Sequence, residues 1–333
     1  LSLRKLFLGL SILVLVVIGG FGLFKNKKTT PPDAQKPIEV LAKRVETTPP
    51  PPKVIPKVET LETTPVVLAS ATEEKQFPSI DRIQQFFSTN GVRFPVVETI
   101  TYTSRVAWLK GRPAWIADYA SYYNTSRHFI ARSLNGKPDY LNQKVSSGSH
   151  FNVFKKEKNI HFYLLVDLSR AKMAFYYVDL DTKERMLVKT YSVGVGRTDS
   201  SKASGFTTPT GTFALGSKIA VYQPGTMGYF MDEKKEMIQV FGTRWIPFGQ
   251  EIENCSESPK GYGIHGAPWT VHPKTKELVE NKECIGKHET DGSIRLLQED
   301  MEELFSIIIT KPAYVVIVKD FNDAKLPGVE VNL

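Results

Sequence analysis

The chain has 333 residues, 41% hydrophobic and 23% charged, with a formal net charge of +8; this is globular composition, long enough for two folded units with tails. The positive balance would suit a nucleic-acid binder, but the basic residues are scattered, with no run longer than pairs such as Lys27-Lys28, Lys155-Lys156 and Lys234-Lys235. Nucleic acid is therefore set aside as a partner in favour of an anionic membrane surface or wall polymer.

Arg4 and Lys5 precede an uncharged run from Leu6 to Phe24, which Lys25, Lys27 and Lys28 close. At about 1.5 Å per residue that run spans roughly 28 Å, the thickness of a bilayer core. Gly19-Gly20-Phe21-Gly22-Leu23-Phe24 lacks the small-x-small pattern of a cleaved signal, so residues 1–28 read as a retained membrane anchor. Residues 29–70 follow as a tether. Thr29-Thr30-Pro31-Pro32, Thr47-Thr48-Pro49-Pro50-Pro51-Pro52 and Thr63-Thr64-Pro65 leave too few large apolar side chains to fold. Where prolines hold it extended it rises about 3.1 Å per residue, giving a reach on the order of 100 Å.

Patterned sequence resumes at Phe77. Ser79 is a candidate cap for a helix carrying Ile80, Ile83, Phe86 and Phe87, stopped by Asn90-Gly91. Val96 to Tyr102 alternates as a strand. Gly111-Arg112-Pro113 turns into a helix that includes Trp115, Ile116 and Tyr119; Asn124-Thr125-Ser126 caps a second helix with Phe129, Ile130 and Leu134 inward; Asn135-Gly136 ends it; and Val145 to Phe154 closes as a strand. This order is similar to LysM, a βααβ glycan-binding module, although Gly111-Arg112-Pro113 stands where LysM has Gly-Asp-Thr. The resemblance implies a glycan-binding region over residues 71–156.

From Ile160 the pattern is mostly β. His161 to Asp167, Lys172 to Val178 and Leu187 to Val195 read as successive strands. Thr208-Pro209-Thr210-Gly211-Thr212-Phe213 is a turn whose proline and glycine fix its dihedrals. Met301, Leu304, Phe305 and Ile308 fall on one face of a helix over 299–309, Pro312 stops it, and Ala313 to Val318 is a buried closing strand.

Within this region the Thr208–Phe213 turn, Phe241-Gly242-Thr243-Arg244-Trp245, Ile264-His265-Gly266 and Thr290-Asp291-Gly292-Ser293-Ile294-Arg295-Leu296 occur in the order of the L,D-transpeptidase (YkuD-like) catalytic domain, which the chain resembles over about 160 residues. The resemblance implies a mainly β fold with some α, a β-sandwich catalytic domain over 157–320 beside the small LysM-like unit, with 321–333 as a tail. It implies acyl transfer on peptidoglycan stem peptides, no cofactor and no metal, and a site in the cell envelope anchored to the inner membrane through the N-terminal helix. By the same resemblance His265 is the catalytic base and Ser293 occupies the nucleophile position. Gly292 and Gly266 let the backbone pass close, with amides near Ser293 forming an oxyanion hole, and Arg295 holds the loop.

The chain departs from the family at two of these positions. The family nucleophile is cysteine and here it is Ser293; the family's second histidine is here Asp291. A thiol with a pKa near 8.5 ionises readily beside an imidazole, whereas a serine needs an aligned base and usually a third group to orient that base. Two readings stay open: an acyltransferase working through Ser293 and His265, or a retained fold that binds peptidoglycan without turnover. Cys255 and Cys284 bracket His265 and form a candidate disulfide worth roughly 3 kcal/mol in the chain-entropy model, or are two separate thiols. Cys284 is also an alternative nucleophile. Cys255, His265, His272, Cys284 and His288 contain only one tight pair, Cys284-x-x-x-His288, a weak basis for a metal site.

Overall fold

The computed structural model describes residues 76–138, 144–197 and 207–331. The expected anchor (1–28) and tether (29–70) lie outside the described residues; among those described, no helix is long and apolar enough to cross a membrane.

The first part of the described chain runs α1 (Gln84–Phe87), β1 (Val97–Thr101), α2 (Ile116–Tyr122), α3 (Arg127–Asn135) and β2 (His150–Phe154). β1 and β2 pair antiparallel, Val97 opposite Phe154 and Thr101 opposite His150. The two helices therefore lie between paired strands in a β-α-α-β order. Ser126 caps α3 by accepting from Phe129 N at 2.9 Å, and Gly136 ends it in the left-handed region. The helix expected after Ser79 is shorter than its apolar spacing predicts. Ile80 and Arg82 instead extend along a strand edge: Arg82 N donates to Val188 O, and Thr190 N donates to Ile80 O, both at 2.8 Å. An available sheet edge outcompetes one weak helical turn.

The second part contains β3 (Ile160–Asp167), β4 (Lys172–Asp179), β5 (Glu184–Ser192), β6 (Val195–Gly196), β7 (Gly211–Leu215), β8 (Ala220–Val221), β9 (Met227–Phe230), β10 (Glu233–Glu236), α4 (Ile238–Phe241), β11 (Arg244–Glu253), β12 (Gly263–Gly266), β13 (Trp269–Val271), β14 (Leu278–Glu280), β15 (His288–Thr290), β16 (Ile294–Leu296), α5 (Gln298–Ile308), β17 (Ala313–Val318) and β18 (Val329–Glu330). One ten-stranded mixed sheet runs β16-β12-β11-β7-β17-β3-β4-β5-β18, with β8 on the side of β11. The fold is mainly β with few helices, as the sequence predicts. β17, a run of apolar residues, sits between β7 and β3 and is parallel to β3, which fits a strand buried on both faces. α5 packs Met301, Leu304, Phe305 and Ile308 against the sheet, each 2% exposed or less.

The two parts share one core. Phe86, fully buried, contacts Phe94, Phe129 and Phe154 from the first part and Phe162, Phe175 and Tyr177 from the second, with ring centroids 4.7–6.4 Å apart. Polar ties reinforce the seam. Within the first part, buried Asn152 donates to Phe86 O and Ser88 O at 2.8 and 2.9 Å and accepts from Thr99 Oγ1 at 2.7 Å, which holds Phe86 at the seam. Ser126 Oγ donates to the carbonyl of Ser306 on α5. Lys189 on β5 joins Asp300 and Glu303 of α5, each at 2.9 Å, and Asp81 of the leading arm at 3.4 Å. The described residues accordingly form one compact unit.

Candidate active site

The site forms where the chain returns to the sheet edge twice. β12 carries His265, and β16 runs parallel beside it, with Ile264 opposite Ile294, His265 opposite Arg295 and Gly266 opposite Leu296. Ser293 is the residue just before β16, so the end of the ladder brings it to the start of β12, where Gly263 N donates to Ser293 Oγ at 3.3 Å. The turn ahead of Ser293 is clasped by Thr290. Its Oγ1 donates to Ser293 O at 2.7 Å and accepts from Gly292 N at 3.1 Å.

Gly292 is required there twice over. Its φ is +101°, and a Cβ would stand 2.2 Å from Cε1 of Tyr262 and 2.8 Å from Thr207 O. The amide of Gly292 serves the turn itself, through Thr290, and the amide of Arg295 donates to Gly194 O at 2.9 Å. Neither of these two N–H groups is the oxyanion donor that the motif suggested. Gly266 presses against Thr243 N and Gly242, close strand-to-turn packing that a side chain would crowd.

His265 is 3% exposed and sits in an aromatic frame, the Phe241 ring edge-on at 5.4 Å and Trp245 at 5.7 Å. Its Nδ1 lies 2.8 Å from Gly266 O. A carbonyl can only accept, so Nδ1 carries the proton and Nε2 is the basic nitrogen. Burial pushes the imidazole pKa down to about 3, and the Arg295 charge adds to that, against the carbonyls of Gly266 and Phe241. The ring is neutral at physiological pH, with a free lone pair on Nε2, but so low a pKa makes it a weak base.

His265, Ser293, Asp291 and Arg295 line one cavity of about 940 Å3. Its opposite wall was not legible in the sequence. The hairpin β9–β10 supplies Met227, Phe230, Met231, Lys234, Lys235 and Glu236, and Phe230 rests edge-on against Phe241 at 5.5 Å. The signal was weak because the two turn residues with positive φ are Met231 (+50°) and Asp232 (+64°), not the Asn-Gly pair that marks such turns.

The remaining candidates separate. Asp291 lines the cavity with His265 but pairs with Arg197 at 3.6 Å, both half exposed, and no hydrogen bond joins it to His265 among the described residues. No hydrogen bond joins Ser293 Oγ and His265 among the described residues. Cys255 and Cys284 are free thiols, so the candidate disulfide is not formed. Cys255 Sγ donates to Thr212 O at 3.2 Å and Cys284 Sγ to Asn281 O at 3.1 Å. Cys284 is buried, does not line the cavity, and its pKa is raised by burial against the opposing Arg295 charge, a poor setting for a nucleophile. His288 Nε2 lies 2.6 Å from Leu168 O, away from any ligand set with Cys284.

Chemically the cavity offers a hydroxyl that accepts a backbone N–H, a neutral buried imidazole, a guanidinium and an apolar wall. That is a constellation for acyl transfer at a carbonyl, lacking a carboxylate behind the base.

No curated protein sequence matches the chain. Among solved structures, the chain is similar to Bd1075 of Bdellovibrio bacteriovorus (13% identity, TM-score 0.30, 48% of each chain covered). It is also similar to the helical cell shape determining protein Pgp2 of Campylobacter jejuni (16% identity, TM-score 0.31, 51% of each chain) and to a point mutant of that protein (16%, 0.33, 51% and 50%). The chain spans about half the length of these structures. Residues 161–318 match the YkuD family, the L,D-transpeptidase catalytic domain.

Proposed function

We propose that the chain is a peptidoglycan-modifying acyltransferase of the L,D-transpeptidase type. Ser293 Oγ attacks a stem-peptide carbonyl as Nε2 of His265 takes its proton; the peptide C–N bond breaks and the amine leaves with that proton, and an amine or water then attacks the acyl-serine, its proton passing through His265 back to Ser293 Oγ as the ester breaks. The observation that carries this reading is the convergence of Ser293 and a neutral, buried His265 on one cavity within the segment matched by the family. Residues 71–156 dock the protein on glycan in the manner of LysM; the β-α-α-β order supports this. Residues 1–28 and 29–70 anchor and tether the folded part at the inner membrane, in the cell envelope. The test is an intact-mass measurement of the full chain after incubation with a stem peptide. An acyl adduct that disappears in Ser293→Ala is the expected result; no adduct with any stem peptide counts against the reading.

A second reading is favoured by specific observations. Serine needs a better-organised base than cysteine does, yet Asp291 is turned to Arg197 and His265 is held by a backbone carbonyl. In that reading the cavity binds stem peptide without turnover. Retention on sacculi without any adduct distinguishes it.

A further inference from the structure

We propose that Lys234, on the hairpin wall of the cavity, selects a peptide carrying a free carboxylate beside the bond presented to Ser293. This rests on the reading of the cavity as a peptide site.

The hairpin β9–β10 is fixed to the body at its base. Glu236 accepts from Gly225 N at 2.5 Å and from Gln239 Nε2 at 2.7 Å, and Met237 N donates to Thr226 O at 2.8 Å. Gly228 lies so close to Met237 that a Cβ would meet its sulfur at 2.6 Å. Phe230 then leans on Phe241, which leans on His265. The hairpin backbone is therefore held in a set relation to the reacting groups, with the Lys234 side chain exposed at its rim.

The charges along the cavity do not cancel. Of its two acids, Glu236 has both oxygens engaged at the hairpin base, and Asp291 is paired with Arg197. Of its three cations, Lys235 is paired with Glu233 at 2.8 Å, and Arg295, though without a carboxylate partner among the described residues, shares a side-chain hydrogen bond with Cys284 away from the rim. Among the described residues no carboxylate pairs with Lys234. The cavity's acids are satisfied by the protein while its rim ammonium is not, so the ligand is expected to bring the anion. The wall beside Lys234 is Met227, Phe230 and Met231. With Lys235 neutralised by Glu233, the one ammonium left without a carboxylate beside these apolar side chains suits a monoanion attached to an aliphatic chain, which is a peptide carboxylate, better than a strongly hydrated phosphate. A stem peptide can present such a group at its C-terminus or on the side chain of a diamino diacid residue.

The experiment uses the full chain carrying Ser293→Ala, so that binding is read without turnover. Calorimetry compares a stem tetrapeptide with free carboxylates, the same peptide amidated at its C-terminus, and the same peptide amidated on the diamino diacid side chain. One of the two amidations should weaken binding about fivefold, the reach of a partly exposed ion pair, and which one does so identifies the carboxylate. Lys234→Gln should weaken the free acid by the same factor and leave that amide unchanged, while Lys234→Arg should keep the preference. Equal binding of acid and amides, or an acid preference that survives in Lys234→Gln, overturns the proposal and leaves the peptide site standing. Tighter binding of inorganic phosphate than of the free acid also overturns it. Failure of every peptide to bind overturns both the proposal and the reading of the cavity on which it rests.

Discussion

His265 and Arg295 stand opposite each other in the parallel pair β12–β16, so a permanent cation is built in beside the imidazole. Burial and that cation act in the same direction, holding the imidazole pKa down at about 3. The arrangement keeps the imidazole unprotonated from neutral pH down to about pH 5.

The acid limb of the rate profile is the first consequence. A free histidine base would halve the rate near pH 6.5. Here kcat/KM for acyl transfer should stay level from pH 7 down to about pH 5 before the imidazole begins to take up protons. Arg295→Gln should move the apparent pKa upward while His265 remains neutral at pH 7. An acid limb centred at 6.5 in the wild-type chain would show that His265 is not shielded as described.

Ser293 and His265 should fail together. Ser293→Ala and His265→Ala are each expected to abolish acyl transfer to a similar extent, because a nucleophile and its base act as a unit. Ser293→Cys should preserve or raise turnover, since a thiolate forms more easily beside an imidazole than an alkoxide does. Turnover gained only in Ser293→Cys would identify the protein as a binding module with a retired site. Wild-type turnover in Ser293→Ala would remove Ser293 from the mechanism.

Gly292→Ala tests the turn. The added methyl meets Tyr262 at 2.2 Å on a backbone with φ of +101°. The Tyr262 ring is held by burial and by the bond from its hydroxyl to Glu257 at 3.1 Å. A loss of about 1–3 kcal/mol is expected from the backbone strain alone, read as a lower Tm, with Ser293 displaced. Tyr262→Ala in the same chain should recover part of the loss; no recovery would mean that the steric account is wrong.

What the sequence revealed follows from where its constraints were local. The His-Gly and Gly-Ser-Ile-Arg segments were readable because the turn and the ladder are set by neighbouring residues: Thr290 clasps Ser293 and Gly292 alone fits over Tyr262. Strands β3, β4 and β17 were readable from runs of Phe, Tyr and Val. The hairpin wall was not, because Met231 and Asp232 turn without the usual residues and the hairpin is held by a tertiary ring contact, Phe230 against Phe241. The arm at Ile80–Arg82 has helical spacing yet lies along a sheet edge, because its partner, β5, is more than a hundred residues away. The orientation of Asp291 toward Arg197 is likewise a tertiary fact with no signature in the motif.

Acid should destabilise the fold before the carboxylates titrate. Buried His265 and half-buried His128 are held neutral, with pKa values pushed down to about 3 and about 4, desolvation being the main cause in each. In the unfolded chain each takes up a proton near pH 6.5. Between about pH 6.5 and pH 4 the unfolded state therefore binds more protons, and stability falls as pH falls, by up to about 1.4 kcal/mol per pH unit for each histidine. Urea unfolding of the wild type at pH 7 and pH 5 should show this loss, and His128→Gln should flatten the slope. A wild-type stability that is constant from pH 7 to pH 5 would contradict the desolvation of both rings.

The shared aromatic core predicts that the two parts of the described chain stand or fall together. Phe86 comes from the leading segment, yet its ring touches Phe162, Phe175 and Tyr177 of the sheet as well as Phe129 and Phe154 of the β-α-α-β region. Removing such a ring from a sealed site leaves a cavity and costs about 3–5 kcal/mol, a large share of a domain's usual stability. Phe86→Ala should therefore lower the Tm of the whole folded body in one transition, and Phe86→Leu should restore much of it. A fragment beginning at residue 157 would leave the sheet faces under Phe86 and Phe154 open to water, and it should be insoluble or markedly less stable than the chain truncated at Ala71, which loses none of these contacts. Two independent transitions in calorimetry, with Phe86→Ala moving only the lower one, would show that the seam is an interface between separately folding domains and not a common core.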